Sequence, residues 1–117
     1  MKNNKQTEFT KLIYISHPYN GSDYNMLRIE DKIIELRKKH KDYLFISPVH
    51  TFGYLYDVTT YEEGIDMCLK LLEKCDEVWI VSDDYTESKG CLVERSYAHA
   101  LGIPVFNIEE EELDERL

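Results

Sequence analysis

Glu94 is the residue whose place in the sequence points most directly to chemistry. Apolar spacing and the following glycine and proline predict a helix from Lys89 to Leu101. At roughly 100° per residue, Glu94 falls within the apolar arc of that helix, beside Ala98. A carboxylate on the buried side of a helix costs desolvation free energy unless it is paired or used. Two interpretations follow: a carboxylate that takes part in a reaction, and a glutamate that borders the core and pairs with a lysine.

Further candidate substrate-binding residues follow each of the first three predicted strands. They are Ser16, His17, Pro18 and Asn20 after the first strand, His50 after the second, and Ser88, Lys89 and Gly90 after the third. Loops at the carboxyl ends of parallel strands meet at one edge, where α/β proteins bind ligands. A hydroxyl, a cation and free N–H groups at a helix N-terminus suit a phosphate, although Ser-Lys-Gly is also typical of an ordinary N-cap. Histidine is a common acid–base residue, so His50 is either a residue that contacts phosphate or base or acts as an acid, or a loop histidine with satisfied hydrogen bonds.

The elements that must position these residues alternate in type along the chain. Short apolar runs predict strands at 11–15, 43–46, 77–82 and 104–108, and apolar spacings of three and four predict helices at 24–39, 60–74 and 89–101. Thr60 and Glu63 have the spacing of a capping box at the start of the second helix. We expect a loop or short turn at 50–57. The alternation predicts a parallel sheet of about four to five strands with helices on its faces.

Composition indicates one small acidic domain. The 117 residues carry 14 Lys and Arg against 23 Asp and Glu, a net charge of -9, and no basic run long enough for a polynucleotide. No apolar stretch approaches the roughly 18 residues of a membrane span. We expect a polar segment at 1–10, one domain at 11–108, and an acidic tail or frayed helix at 109–117. The three cysteines and four histidines lack disulfide or metal-ligand spacing, so we expect a cytoplasmic protein without metal or cofactor.

Three stretches of the sequence resemble the nucleoside 2-deoxyribosyltransferase superfamily, which includes the 2'-deoxynucleoside 5'-monophosphate N-glycosidases. They are residues 13–19 (IYISHPY), with His17 where glycine is usual, residues 74–81 (KCDEVWIV) and residues 88–105 (SKGCLVERSYAHALGIPV). The third stretch is the most specific. The resemblance spans roughly residues 11–108 and implies a small Rossmann-like (flavodoxin-like) three-layer α/β sandwich.

The resemblance also implies roles for individual residues. Glu94 corresponds to a nucleophile that attacks the anomeric carbon of deoxyribose, displaces the base and leaves a glycosyl-enzyme ester. Tyr14 corresponds to a tyrosine that orients this carboxylate, although a half-buried strand tyrosine is the other interpretation. Asp66 is the candidate for an acidic residue that assists leaving-group protonation or holds the sugar. Ser88 stands where the monophosphate hydrolases have serine and the transferases an acidic residue.

We therefore expect cleavage of the N-glycosidic bond of a (deoxy)nucleoside 5'-monophosphate. The alternatives are a nucleoside 2-deoxyribosyltransferase, a signalling domain that binds or cleaves NAD or another nucleotide, and a non-catalytic interaction protein. The expected partner is a small nucleotide or nucleoside, with no polynucleotide and no membrane. Apolar residues at 52–56 offer area that one chain does not bury, and similar proteins commonly pair, so we expect a homo-oligomer, a dimer or larger, with this segment at the contact.

Overall fold

A parallel four-stranded sheet forms the centre of the protein. The computed structural model describes residues 8–82 and 88–108. The strands are β1 (Lys11–Ser16), β2 (Tyr43–Ile46), β3 (Glu77–Ile80) and β4 (Val105–Asn107), in the spatial order β2-β1-β3-β4. The helices are α1 (Asp23–Lys39), α2 (Pro48–Phe52), α3 (Tyr61–Leu72) and α4 (Lys89–Leu101), with a 3₁₀ segment at Gly53–Val58. The order reverses beside β1, as in flavodoxin-like sheets, and the predicted α/β class is confirmed.

The two faces of the sheet bury two separate hydrophobic cores. Ile13 and Ile15 of β1 point to one face, where Trp79 of β3 and Ile29 of α1 join them. Tyr14 points to the opposite face, because successive strand side chains alternate. There it packs in a second core with residues of α3, α4 and β3, namely Leu72, Ala98 and Val78. Helices cover both faces, which gives the predicted three-layer arrangement.

Side-chain caps set where the helices begin. The hydroxyls of Ser22 and Ser88 accept hydrogen bonds from the backbone N–H groups of Asn25 (3.1 Å) and Cys91 (3.2 Å). Thr60 and Glu63 form the predicted capping box, with distances of 3.1 and 2.9 Å. Each cap satisfies N–H groups that the first helical turn leaves without an internal partner.

The expectation of a loop or short turn at 50–57 is wrong. The hydroxyl of Ser47 accepts from the N–H of His50 at 3.2 Å, and Pro48 occupies the first turn, where its missing N–H is not needed. This short α2 leads directly into the 3₁₀ segment. The expected acidic tail at 109–117 and most of the expected polar segment at 1–10 lie outside the described residues, as do residues 83–87. No described helix is both long and apolar enough to cross a membrane.

Candidate active site

The carboxylate of Glu94 is buried on α4 and held by two hydroxyls of β1. Only 6% of the residue is exposed. The Tyr14 hydroxyl donates to Oε2 of Glu94, and the Ser16 hydroxyl donates to Oε1 at 2.7 Å. Tyr14 and Ser16 are two residues apart on one strand, so both side chains point to the α4 side of the sheet. In the part of the chain that the structure describes, hydroxyls rather than a lysine hold this carboxylate.

Burial decides the protonation of this cluster. It raises the pKa of Glu94 from its ordinary 4.5 to about 7, although the hydrogen bonds from Tyr14 and Ser16 lower it. Burial and the adjacent Glu94 carboxylate raise the pKa of Tyr14 well above 10. Tyr14 therefore keeps its proton near neutral pH and acts as a donor, while Glu94 titrates between its neutral and charged forms.

A cavity of about 660 Å³ opens beside Glu94. Its volume lies within the range of small-molecule sites. The lining comes from four parts of the chain: residues 17–20 after β1, parts of 48–56 in α2 and the 3₁₀ segment, parts of 59–68 in and before α3, and residues 88–91 with 94 in α4. Aromatic rings of Tyr19, Phe52, Tyr56 and Tyr61 contribute to this lining, which suits a flat heterocycle.

Most of the predicted site residues come together at this cavity. Besides Tyr14 and Ser16 on Glu94, the lining includes His17, Pro18, Asn20, Ser88, Lys89 and Gly90. Nδ1 of His17 lies 2.8 Å from the carbonyl oxygen of Pro18. Because a carbonyl only accepts, this contact requires the proton on Nδ1. The hydroxyl of Ser88 caps α4, so the ordinary N-cap interpretation is correct even though the residue also faces the cavity.

His50 does not line the cavity, so the structure does not bring it together with the other predicted site residues. Its Nδ1 lies 2.8 Å from the Ser47 hydroxyl and its Nε2 lies 2.9 Å from Oε2 of Glu30. Residue 50 falls within α2 rather than in a loop at the sheet edge, and the helix turns its side chain towards α1. His50 is a surface histidine with satisfied hydrogen bonds.

Asp66, the residue predicted to assist the leaving group or hold the sugar, does not line the cavity either. It is exposed, while Ile65 and Cys68 of the same helix line the cavity. Tyr61 and Cys68 are cavity residues that sequence reasoning missed. Ile65 is four residues after Tyr61 and Cys68 is three residues after Ile65, so the three side chains lie on one face of α3. The helical period, counted from the capping box, was the signal in the sequence that could have identified this face.

The segment expected at an oligomer contact contributes to the cavity wall. Phe52, Leu55 and Tyr56 line the cavity, whereas Tyr54 is 81% exposed. The Tyr56 ring packs edge-on against Tyr19, with centroids 5.2 Å apart. Gly21, whose φ is +68°, lies under the same ring, and an added Cβ would be 2.9 Å from a Tyr56 ring carbon. The loop after β1 and the 3₁₀ segment therefore pack against each other at the edge of the cavity.

In residues 8–82 and 88–108, no group of three or more His, Cys, Asp or Glu is arranged to hold a metal.

The fold is that of a deoxyribosyltransferase-like α/β domain. A solved structure of a 2-deoxyribosyltransferase from the psychrotolerant bacterium Bacillus psychrosaccharolyticus is similar, with a TM-score of 0.61 and 16% sequence identity over 80% of this chain and 69% of that one. The resemblance in fold that the sequence predicts is thereby confirmed. The chain belongs to the family described as "Domain of unknown function (DUF7768)", which matches residues 11–108. No curated protein matches the sequence.

Proposed function

We propose that the protein cleaves the N-glycosidic bond of a (deoxy)nucleoside 5'-monophosphate, with Glu94 as the nucleophile. The observation that carries this proposal is a buried carboxylate, held by two hydroxyls, in the wall of a cavity lined with aromatic rings. Carboxylates serve as nucleophiles in retaining glycosidases because the ester they form with the sugar is reversible. The name of the similar structure, a 2-deoxyribosyltransferase, supports chemistry at the same bond.

In this mechanism the ionised Glu94 attacks the anomeric carbon. The new C–O bond forms as the C–N bond breaks, and the bonding electrons leave with the base, which takes up a proton. Water then attacks the glycosyl ester, which releases the sugar phosphate and restores the Glu94 carboxylate. Tyr14 and Ser16 hold the two carboxylate oxygens in a fixed orientation before the attack.

A transferase would differ only in the second step, where a second base replaces water. The similar structure is a transferase by name, so this activity keeps specific support. A domain that binds or cleaves NAD and a non-catalytic interaction protein are the two further candidates. One assay separates the three possible activities from one another and from a protein that cleaves none of these compounds.

The test is incubation with nucleosides, 5'-monophosphates and NAD⁺, with and without an added acceptor base, followed by chromatography of the free base. Base released from monophosphates without an acceptor supports hydrolysis, and exchange that needs an acceptor supports the transferase. Release from NAD⁺ alone supports an NAD-cleaving domain, and no release from any compound supports a binding or interaction protein.

Replacement of Glu94 tests its role in the reaction. Glu94→Gln should lower the rate by about 10³-fold or more while keeping the fold, because it removes the nucleophile. The rate of base release and the circular dichroism spectrum measure the two effects. Glu35→Gln, on the exposed side of α1, is the matched control. A near-native rate in Glu94→Gln would reject the assignment.

The 5'-phosphate would bind at the N-terminus of α4. Ser88, Lys89 and Gly90 line the cavity there, and Lys89 brings a positive charge to a helix end that already favours anions. Ser88→Asp keeps a good N-cap but adds a negative charge. It should weaken binding of a 5'-monophosphate by about tenfold or more, in line with the loss of one charge-assisted contact, and leave binding of the matching nucleoside unchanged. Equal losses for both ligands would mean that the phosphate does not bind at the N-terminus of α4.

We also propose that the protein is a cytoplasmic homo-oligomer. Tyr54 and Val58 are 81% and 79% exposed, and Tyr61, which follows them in the sequence, is 52% exposed at the cavity. Large apolar side chains grouped in this way are typical of an interface. Light scattering at micromolar concentration should give at least twice the 13.9 kDa of the chain, and Tyr54→Lys should lower that mass. A fully active wild-type monomer would contradict this part of the proposal.

A further inference from the structure

The proposed mechanism uses a proton for the departing base, and the residues described so far do not supply it. The base leaves with the bonding electrons, so a proton delivered to one of its nitrogens lowers the barrier. Asp66, the carboxylate predicted for this role, does not line the cavity. Glu94 must be ionised to attack, so it cannot be the donor. The other titratable groups of the cavity wall are the candidates.

These groups come from every part of the chain that brings titratable side chains to the cavity. They are His17 and Tyr19 after β1, Tyr56 in the 3₁₀ segment, Tyr61 and Cys68 in α3, and Lys89 and Cys91 in α4. Burial and the Glu94 carboxylate raise the pKa of Tyr61 above its ordinary 10 and that of Cys68 to about 11. Groups that hold a proton so tightly donate it poorly near neutral pH. Histidine is the most common general acid in enzymes, because its ordinary pKa lies close to neutral pH.

His17 lies directly after the strand that holds Glu94. The preceding residue, Ser16, donates to Oε1 of Glu94 at 2.7 Å, and consecutive Cα atoms are about 3.8 Å apart. Only 8% of His17 is exposed, and it lines the same cavity as Glu94. The chain therefore brings an imidazole into the wall of the cavity, one residue from a direct contact with the carboxylate.

The backbone fixes which nitrogen of this ring can exchange a proton. Nδ1 lies 2.8 Å from the carbonyl oxygen of Pro18, a contact that requires the proton on Nδ1. The additional proton of the charged ring is then carried by Nε2. The Nδ1 contact is the same in both forms, so the ring can take up and release the Nε2 proton without losing it.

We propose that His17 is the general acid of the reaction, and that its protonated Nε2 donates to a nitrogen of the base as Glu94 attacks the anomeric carbon. The proposal rests on the proposed function for the bond that is cleaved. The electrons of the C–N bond stay with the base, and the proton from Nε2 neutralises the charge that they bring. In the second step the neutral Nε2 accepts a proton from the attacking water, and Glu94 leaves the sugar as a carboxylate. Both groups thereby return to their starting protonation states.

The pH profile of an asparagine variant tests this assignment. His17→Asn removes the titrating ring but keeps an amide that can donate to the Pro18 carbonyl. For the monophosphate that wild type cleaves fastest, kcat/KM should fall by about 10²-fold or more, the usual contribution of general acid catalysis. Wild-type kcat/KM should also decrease at high pH, where the acid loses its proton, and this basic limb should be absent in the variant. The acidic limb, which includes Glu94 and the substrate phosphate, should remain.

The controls are a second substitution at the same position and a histidine outside the cavity. His17→Gln should behave as His17→Asn does, and circular dichroism shows whether each variant is folded. His99→Asn changes an exposed histidine of α4 that does not line the cavity, so its rate and profile should match wild type. A basic limb that persists in the His17 variants, or a loss below about tenfold, would overturn the proposal.

A base that needs no proton separates acid catalysis from a role in shaping the cavity. In 7-methyl-2'-deoxyguanosine 5'-monophosphate the methyl group already gives the base a positive charge, so the base leaves as a neutral molecule. His17→Asn should lose less than about tenfold on this compound and about 10²-fold or more on 2'-deoxyguanosine 5'-monophosphate. Equal losses on the two would overturn the proposal. If wild type cleaves other bases but not guanine, the pH profile decides alone.

Wild-type turnover separates this proposal from the proposed function. If wild type releases base from no monophosphate, with or without an acceptor base, the proposed function fails and the role of His17 fails with it. If wild type is active and the His17 variants keep its rate or its basic limb, only the assignment of the acid fails. Base exchange that needs an acceptor leaves the assignment in force, because the first base departs in the same step.

Discussion

The two faces of the sheet receive side chains of different chemistry from the same strand, β1. On the α1 face, β1 contributes Ile13 and Ile15, and the buried surroundings are apolar and aromatic. On the α3–α4 face, the intervening Tyr14 and Ser16 hold the buried carboxylate of Glu94. Both faces bury hydrophobic clusters that stabilise the fold, while the α3–α4 face also buries a group whose ionisation opposes folding.

The α1 face shows how a polar group is accommodated when no chemistry is needed. The Trp79 ring packs edge-on against Phe45 (5.7 Å between centroids) and Tyr43 (5.9 Å). Its indole Nε1 donates to Oε1 of Glu77 at 2.8 Å, and Oε2 of the same carboxylate lies 2.5 Å from Nζ of Lys11. Each oxygen of Glu77 thus has a partner, and one of these partners is a cation, unlike the hydroxyls that hold Glu94.

The largest effect is expected from a substitution in the core on the α1 face. Trp79→Ala removes the largest fully buried side chain and leaves a cavity, so the free energy of unfolding should fall by about 3–5 kcal/mol. Urea denaturation followed by circular dichroism measures this loss. Trp79→Phe keeps most of the ring packing and should lose clearly less. A loss below about 1 kcal/mol in the alanine variant would show that this face is not the main source of stability.

The next prediction concerns how much stability the protein loses by burying the charged form of Glu94 on the α3–α4 face. The pKa of Glu94 is about 7 in the folded protein against an ordinary 4.5, so folding takes up a proton between these values. Below about pH 4.5 the protonated side chain carries no such penalty. As pH rises from about 4.5 to about 7, the wild-type protein loses stability because it must bury the charge, and the loss levels off above about pH 7. At about 1.4 kcal/mol per pKa unit, the full loss is about 3 kcal/mol.

Glu94→Gln removes this titration while keeping an acceptor for Tyr14. The variant should therefore be more stable than wild type at pH 8, by up to about 3 kcal/mol, and the difference should shrink towards zero near pH 4. Urea denaturation of both proteins at the two pH values measures it. A variant that is less stable than wild type at pH 8 would mean that the charged carboxylate is well solvated.

The smallest effects are expected for predicted site residues that do not line the cavity. Asp66→Asn and His50→Gln change residues that do not line the cavity, so each should alter turnover less than about twofold and stability by less than about 0.5 kcal/mol. The contact between His50 and Glu30 lies at the surface, where such pairs contribute little. A tenfold loss of turnover in either variant would show that the residue takes part in the site.

Local signals account for what the sequence predicted correctly. The caps at Thr60 and Ser88 and the left-handed Gly102, with φ of +77°, set the helix bounds, and the apolar arc of α4 placed Glu94 on the buried side. Asp66 was chosen by residue type rather than by its place on the helix, whereas the rotation of α3 brings Cys68 to the cavity. Contacts such as the one between His50 and Glu30 join residues twenty positions apart, and no local pattern specifies them.

The contact between Gly21 and Tyr56 has a consequence for how the family can diverge. The backbone at residue 21 has a positive φ, and its missing Cβ leaves room for the Tyr56 ring. A side chain at position 21 would both strain the loop and displace the ring, so neither position can change alone without cost. Among relatives of this chain, we expect the two positions to covary: a glycine at 21 accompanies a large ring at 56, and sequences that lose the glycine carry a small residue there.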